Sequence, residues 1–222
     1  MNFGGYMIKK ILLSFVLSFI SLTVIAAEQK SYKGKDYYLD LNVGLASHDS
    51  GVSAVSGTTL DEDDTGYMLN LGSRINQTWA VEGMYYDMGS ASITGSVNDT
   101  FTMDGTTYVW NTAGTLSNAT SGFGGAIVGY LPSDEWLELY GKLGIHMWNQ
   151  SGSATFLNNN TSFSAQFFDE GVDLYWGFGV TANIVENLKI NVGYDAFNFT
   201  DELDPSVDYY TTFLYGGIKY EF

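Results

Sequence analysis

Charged residues in this chain recur at alternate positions of segments whose other residues are mostly apolar. Asp40, Arg74, Glu82, Glu138, Lys142, Asp173, Lys189, Asp195, Lys219 and Glu221 all occupy such places. Burying a lone charge is expensive, so acids and bases on one covered face must pair or be hydrogen-bonded. Two chemistries suit the set: an ion-pair network that fills an interior, or a narrow polar path for ions. Which acid meets which base depends on strand register and is not read from the sequence.

Other reactive groups are few. The chain has 2 His, His48 and His146, and no Cys. His146 is followed by Ser151, but hydrolytic catalysis needs His, nucleophile and usually a carboxylate in one constellation. No familiar spacing of that kind is present, nor a phosphate loop, a zinc-binding cluster or a nucleophile elbow. No catalytic, metal-binding or cofactor-binding residue is assigned. The run Asp61–Glu62–Asp63–Asp64 lacks the alternate spacing and glycine of a calcium loop. It reads as solvated loop charge; weak divalent-cation binding, with Asp201, Glu202 and Asp204, is the lesser reading. Asp104–Gly105 lies between two alternating stretches, Thr100–Met103 and Thr106–Trp110, which predicts a β-hairpin. Its edge could add a strand from a surface ligand.

The elements that hold these residues show a period of two. Tyr37, Leu39, Leu41 and Val43 oppose Tyr38, Asp40, Asn42 and Gly44. Tyr67, Leu69 and Leu71 oppose Met68, Asn70, Gly72 and Arg74. Trp79, Val81 and Tyr85 oppose Ala80, Glu82 and Tyr86. Gly122–Leu131 is strand-like, but its facing is ambiguous. Leu137, Leu139, Leu143, Ile145 and Met147 oppose Glu138, Tyr140, Lys142 and His146. Val172, Leu174, Trp176, Phe178 and Val180 oppose Asp173, Tyr175, Gly177 and Thr181. Leu188, Ile190, Val192 and Tyr194 oppose Lys189, Asn191 and Asp195. Finally Leu214, Ile218, Tyr220 and Phe222 oppose Tyr215, Lys219 and Glu221.

Short connections at Ile75–Thr78, Pro132–Glu135 and Ile184–Asn187 alternate with long polar stretches around 48–64, 89–121, 149–170 and 199–208. That alternation predicts an all-β fold: an eight-stranded antiparallel transmembrane β-barrel with short periplasmic turns and long extracellular loops. Lipid requires closure, because an unpaired backbone amide in hydrocarbon costs several kcal/mol. Tyr37, Trp79, Trp136, Trp148, Tyr209 and Tyr210 are expected to form girdles at the membrane boundary.

Lys9 and Lys10, the apolar run Ile11–Ile20 and the small residues Ala26 and Ala27 predict a signal peptide over 1–26. Translation from Met7 would place the lysines conventionally. The barrel domain then spans 27–222. The formal charge is −16, and loss of the leader, with Lys9 and Lys10, makes it more negative. Such a chain has no basic face for nucleic acid. Mean hydropathy is −0.02, as expected where apolar and polar positions cancel.

The ending Leu214–Tyr215–Gly216–Gly217–Ile218–Lys219–Tyr220–Glu221–Phe222 resembles the last strand of small outer-membrane proteins of the OmpA/OmpX-like barrel family. The resemblance implies an outer-membrane location, with lipid and lipopolysaccharide around a monomeric barrel. It makes Phe222, Tyr220 and Ile218 the recognition signal for the barrel assembly machinery. It covers the barrel and not the peptidoglycan-binding domain of longer relatives. The implied function is non-enzymatic: a plugged barrel presenting acidic loops for envelope integrity, surface interaction or adhesion. A narrow channel or transporter for small or hydrophobic solutes is the rival reading, and a lipid A-modifying enzyme a distant one.

Overall fold

The structure, a computed structural model, describes residues 36–103, 105–134, 136–158, 161–200 and 208–222. The expected leader and Asp201, Glu202 and Asp204 lie outside the described residues. The strands in chain order are β1 (Tyr37–Asp49), β2 (Val52–Ser56), β3 (Thr59–Asp61), β4 (Asp63–Arg74), β5 (Trp79–Gly95), β6 (Thr100–Met103), β7 (Thr106–Val109), β8 (Ala113–Asp134), β9 (Leu137–Asn158), β10 (Thr161–Val185), β11 (Leu188–Thr200) and β12 (Asp208–Glu221).

The main sheet runs β4-β1-β12-β11-β10-β9-β8, and β5 closes it by pairing with both β4 and β8. All of these ladders are antiparallel. The seam between first and last strands is finished at the chain terminus, where the Phe222 amide donates to the Tyr37 carbonyl at 2.9 Å. The β4–β5 connection behaves as its residue types require, whereas Pro132–Asp134, expected in a turn, continue β8. Asn76 Oδ1 accepts from the amides of Thr78 and Trp79 at 2.8 and 2.9 Å, folding the β4–β5 turn.

Leu41, Leu71, Ile127, Leu143, Leu174, Val192 and Leu214 stand exposed around the outer wall. Alternate residues on the same strands are buried inside, including Asp40, Asn70, Val128, Lys142, Tyr175, Asn191 and Tyr215. This is a sheet whose apolar face looks out and whose polar face is covered, the inverse of a water-soluble barrel. The ambiguous strand resolves within β8: Phe123, Ile127 and Leu131 face out, while Ala126, Val128 and Tyr130 face in.

At the end away from the tight turns the outward residues change character. Leu45 gives way to Ser47, Tyr67 to Thr65, Tyr85 to Asp87, Phe123 to Ser121, Met147 to Asn149, Val172 to Glu170 and Leu214 to Thr212. The strands do not stop there. β8 and β9 each have 22 residues and β10 has 25, whereas about ten suffice to cross a bilayer.

Most of the stretch expected as a loop over 149–170 is therefore strand. The alternation disappears there because outward residues above the apolar band meet water and no longer need to be apolar. Register lines up outward hydroxyls across these extensions: Thr59, Thr94, Thr115, Thr155 and Ser164 form one row. Ser92, Ser117, Ser153 and Gln166 form the row beneath it.

The hairpin at Asp104–Gly105 forms as β6 and β7, although Asp104 itself lies outside the described residues. It also recruits β2 from the preceding connection, giving a small three-stranded sheet, β2-β6-β7.

Candidate functional site

The polar residues that alternate with the lipid-facing ones meet in the lumen at successive levels. Nearest the tight turns, Arg74 and Lys189 both reach Glu138 Oε2, at 2.8 and 2.9 Å, and Lys189 also lies 2.8 Å from Glu221. The Arg74 guanidinium sits 3.5 Å above the Tyr130 ring, where the ring's negative face favours a cation.

One level up, Lys219 is 3.9 Å from Asp40 and lies over the Tyr38 ring at 4.5 Å. The Tyr38 hydroxyl donates to Glu82 at 2.7 Å, and the Asn191 amide donates to Asp40 and Asn42. Beyond these, Lys142 pairs with Asp195 at 2.8 Å, and the Tyr215 hydroxyl donates to Asp195 Oδ1 at 3.2 Å. Of the acids singled out from sequence, Glu82 has no cation within ion-pair distance, and neither has Asp173. Asp173 Oδ2 accepts from the Trp148 indole at 2.8 Å and the Thr200 amide at 3.0 Å.

The last level is aromatic. Tyr86, Trp148, Tyr175, Phe197, Phe199 and Phe213 are all buried in one cluster. His146 sits among them. Its Nε2 lies 2.9 Å from the Asn198 carbonyl, which can only accept, so Nε2 carries the proton and Nδ1 accepts from Tyr86. Two members of the expected girdles belong here instead. Trp148 is buried in the lumen and half-buried Tyr209 packs against the cluster, stacked on Phe199. The reason is parity: Trp148 shares its strand face with His146 and Gln150, so it points inward. Tyr37, Trp79, Trp136 and Tyr210 are exposed on the outside.

Tyr38, Tyr130, Tyr140 and Tyr215 went unassigned in sequence, yet they line the cations. Their signal was available at Tyr38, Tyr140 and Tyr215, each opposite the apolar face of its strand. His146 and Ser151 do not come together, since His146 is buried in the lumen and Ser151 is exposed.

The acidic run is also split by alternation. Asp61 and Asp63 point to solvent, while Glu62 and Asp64 turn toward neighbouring backbone. Glu62 accepts from the Ser50 amide and hydroxyl at 3.0 and 2.5 Å, and Asp64 accepts from the Ser90 amide at 2.8 Å. The Ser90 amide, together with the Thr65 amide at 2.7 Å, holds the Asp64 carboxyl below its ordinary range. The run does more than carry solvated charge, because it ties β4 to the chain entering β2 and to β5. His48, also beyond the apolar band, donates from Nε2 to the Met88 carbonyl and accepts at Nδ1 from Thr211. Burial lowers its pKa, against the opposing pull of the Met88 carbonyl, Asp64, Glu62 and Asp63.

A closed antiparallel barrel with a lipid-facing wall and a side-chain-filled lumen is a transmembrane β-barrel. The family described as outer membrane protein beta-barrel domain matches residues 15–222, and the chain belongs to it. Its location is accordingly the outer membrane, with the tight turns periplasmic and the long strands extracellular.

Among solved structures it is similar to the outer membrane protein OprG from Pseudomonas aeruginosa. Identity is 13%, coverage 86% of this chain and 100% of that one, and the TM-score 0.51. The Yersinia pestis attachment invasion locus protein Ail, in complex with the heparin analogue sucrose octasulfate, matches at 17% identity. Coverage there is 83% and 99%, with a TM-score of 0.45. The Escherichia coli outer membrane protease OmpT matches at 10% identity, 88% and 99% coverage, and a TM-score of 0.49. At such identities the likeness concerns the fold alone. No curated protein sequence matches the chain.

Proposed function

We infer that this is a non-enzymatic outer-membrane protein in which the barrel is a plugged anchor and the strand-built, acidic extracellular part does the work. Envelope integrity, surface interaction or adhesion is the role that follows. The observation that carries this reading is the Lys142–Asp195 level, where both side chains are cut off from solvent and tyrosine rings crowd the cation. Above it the buried, largely aromatic cluster draws residues from all eight barrel strands. A hydrated ion or solute would have to displace paired charges and packed rings together, at a cost of several kcal/mol.

The geometry of the histidines supports the non-enzymatic part. Each ring nitrogen of His48 and His146 is already hydrogen-bonded, to Thr211 and Met88 in one case and to Tyr86 and Asn198 in the other.

Recording from purified protein in planar bilayers tests the reading. Only brief, small current fluctuations are expected; a steady, solute-selective conductance would overturn the plugged barrel in favour of a channel.

A further inference from the structure

The extracellular extensions of β5, β8, β9 and β10 carry an outward face with an unusual chemistry for this chain. Between the top of the apolar band and the hairpin ends, outward positions on β8 and β9 hold no charge. The lower hydroxyl row places Ser117 Oγ 2.9 Å from Ser153 Oγ and continues to Gln166; the upper contains Thr94 and Thr115 with hydroxyls 3.0 Å apart. Phe168 follows Gln166 on the same side of β10, at the sheet margin, with 74% of its surface exposed.

A large apolar ring left in water next to hydroxyls and a carboxamide has a natural counterpart. Hexose rings present hydroxyls at their rim and a C–H face that stacks on an aromatic ring. Serine and threonine hydroxyls both donate and accept, so a row spaced about 4.8 Å between strands can bridge such a rim in either sense.

Charge narrows the class. Every Lys and Arg among the described residues, namely Arg74, Lys142, Lys189 and Lys219, lies in the lumen. A polyanionic glycan would find no cation on the outer surface among the described residues and would meet exposed Asp61, Asp63 and Asp87. A neutral sugar meets no such repulsion on the hydroxyl face.

Position narrows the source. The face continues the lipid-facing wall, beginning where Phe123 and Met147 give way to Ser121 and Asn149 on the same strands. It therefore looks sideways along the membrane, at the height of the outer-leaflet sugars. We propose that this face, with Phe168 as stacking platform and Gln166, Ser117 and Ser153 as hydrogen-bonding partners, docks neutral hexoses of lipopolysaccharide molecules packed beside the barrel. Each contact is weak, and several sugars held at the same wall add through high local concentration. The inference does not depend on what the loops engage further out.

The full chain is folded with two purified lipopolysaccharides, one bearing neutral core hexoses and one truncated before them. Retained lipopolysaccharide is then measured by native mass spectrometry. Hexose-bearing molecules are expected to be retained about fivefold better, a difference on the scale of one or two modest contacts. Phe168→Ala and, separately, Ser117→Glu with Ser153→Glu should abolish the preference while leaving the heat-modifiable folded band intact. Phe163→Ala, on the opposite face of the same strand, should leave it unchanged.

No preference in the native chain, or one that survives both sets of substitutions, overturns the proposal. So does efficient barrel-to-barrel cross-linking through Ser153→Cys, which would assign the face to a second copy; the chain has no other thiol to confuse that result.

Discussion

Lys142 Nζ lies 2.8 Å from Asp195 Oδ2, and the two side chains retain 2% and 0% of their solvent exposure. The ammonium also lies beside the Tyr140 and Tyr215 rings, so the ion pair is enclosed by packing. Desolvation of both charges offsets much of their attraction. The pair's contribution lies in making each partner indispensable to the other.

Removing one partner should therefore cost far more than removing both. Lys142→Met leaves the Asp195 carboxylate facing tyrosines and should destabilise the barrel by about 3–5 kcal/mol. Adding Asp195→Asn to that variant should recover most of the loss, since the Tyr215 hydroxyl can still donate to the amide oxygen. Urea unfolding from lipid vesicles, read by tryptophan fluorescence, gives the stabilities. Asp195→Asn alone completes the cycle, and a double-variant loss equal to the sum of the two single losses would show that the pair is not energetically coupled.

At the extracellular rim, His48 links β1 to β5 through the Met88 carbonyl and to β12 through Thr211. Its folded pKa is below the ordinary imidazole value of 6.5 because burial disfavours the cation. Above that value both folded and unfolded forms are neutral and pH has no leverage. As pH falls through it, the unfolded imidazole takes a proton that the folded one resists, so rim stability declines. Hydrogen exchange at the Met88 and Thr211 amides, corrected for intrinsic rate, should speed up between about pH 7 and pH 5. His48→Gln should flatten that response; an unchanged slope would remove His48 as its cause.

Sequence exposed the wall better than the interior, and the reason is physical. Leu214 and Tyr215 differ in environment as lipid from lumen, so a single strand carries its own facing. The Gly-rich strand did not, because its inward glycines answer to residues on other strands. A Cβ on Gly122 would lie 2.5 Å from the Tyr86 hydroxyl, and one on Gly124 would lie 2.5 Å from the Met84 methyl. Gly72 makes the same kind of room for Tyr38, at 2.0 Å. Such size matching, like the meeting of Arg74 with Glu138, exists only after the sheet closes and register is set. The outer hydroxyl rows had a local signal, hydroxyls at every second residue in Ser90–Ser96 and Ser151–Thr155, but polar alternation without apolar partners resembles loop composition.

The terminal strand joins wall and closure, and its last residue does both. Phe222 is exposed toward lipid, stacks on Tyr37 with ring centroids 6.3 Å apart, and gives its amide to the Tyr37 carbonyl. Ile218 and Tyr220 continue the same outward stripe, with Ile218 opposite Leu41 and Tyr220 opposite Leu39 across the seam. We propose that this stripe is also the signal read by the assembly machinery before the barrel closes. Deleting Phe222 removes two backbone hydrogen bonds with Tyr37, the second a long one at 3.4 Å, and one ring from the finished seam, a loss of only about 1–3 kcal/mol. Membrane-inserted protein should nevertheless fall severalfold in cells, while the same variant refolds efficiently into synthetic vesicles. Equal losses in both settings would mean that Phe222 acts through seam stability alone. Normal insertion in cells would remove it from the assembly signal.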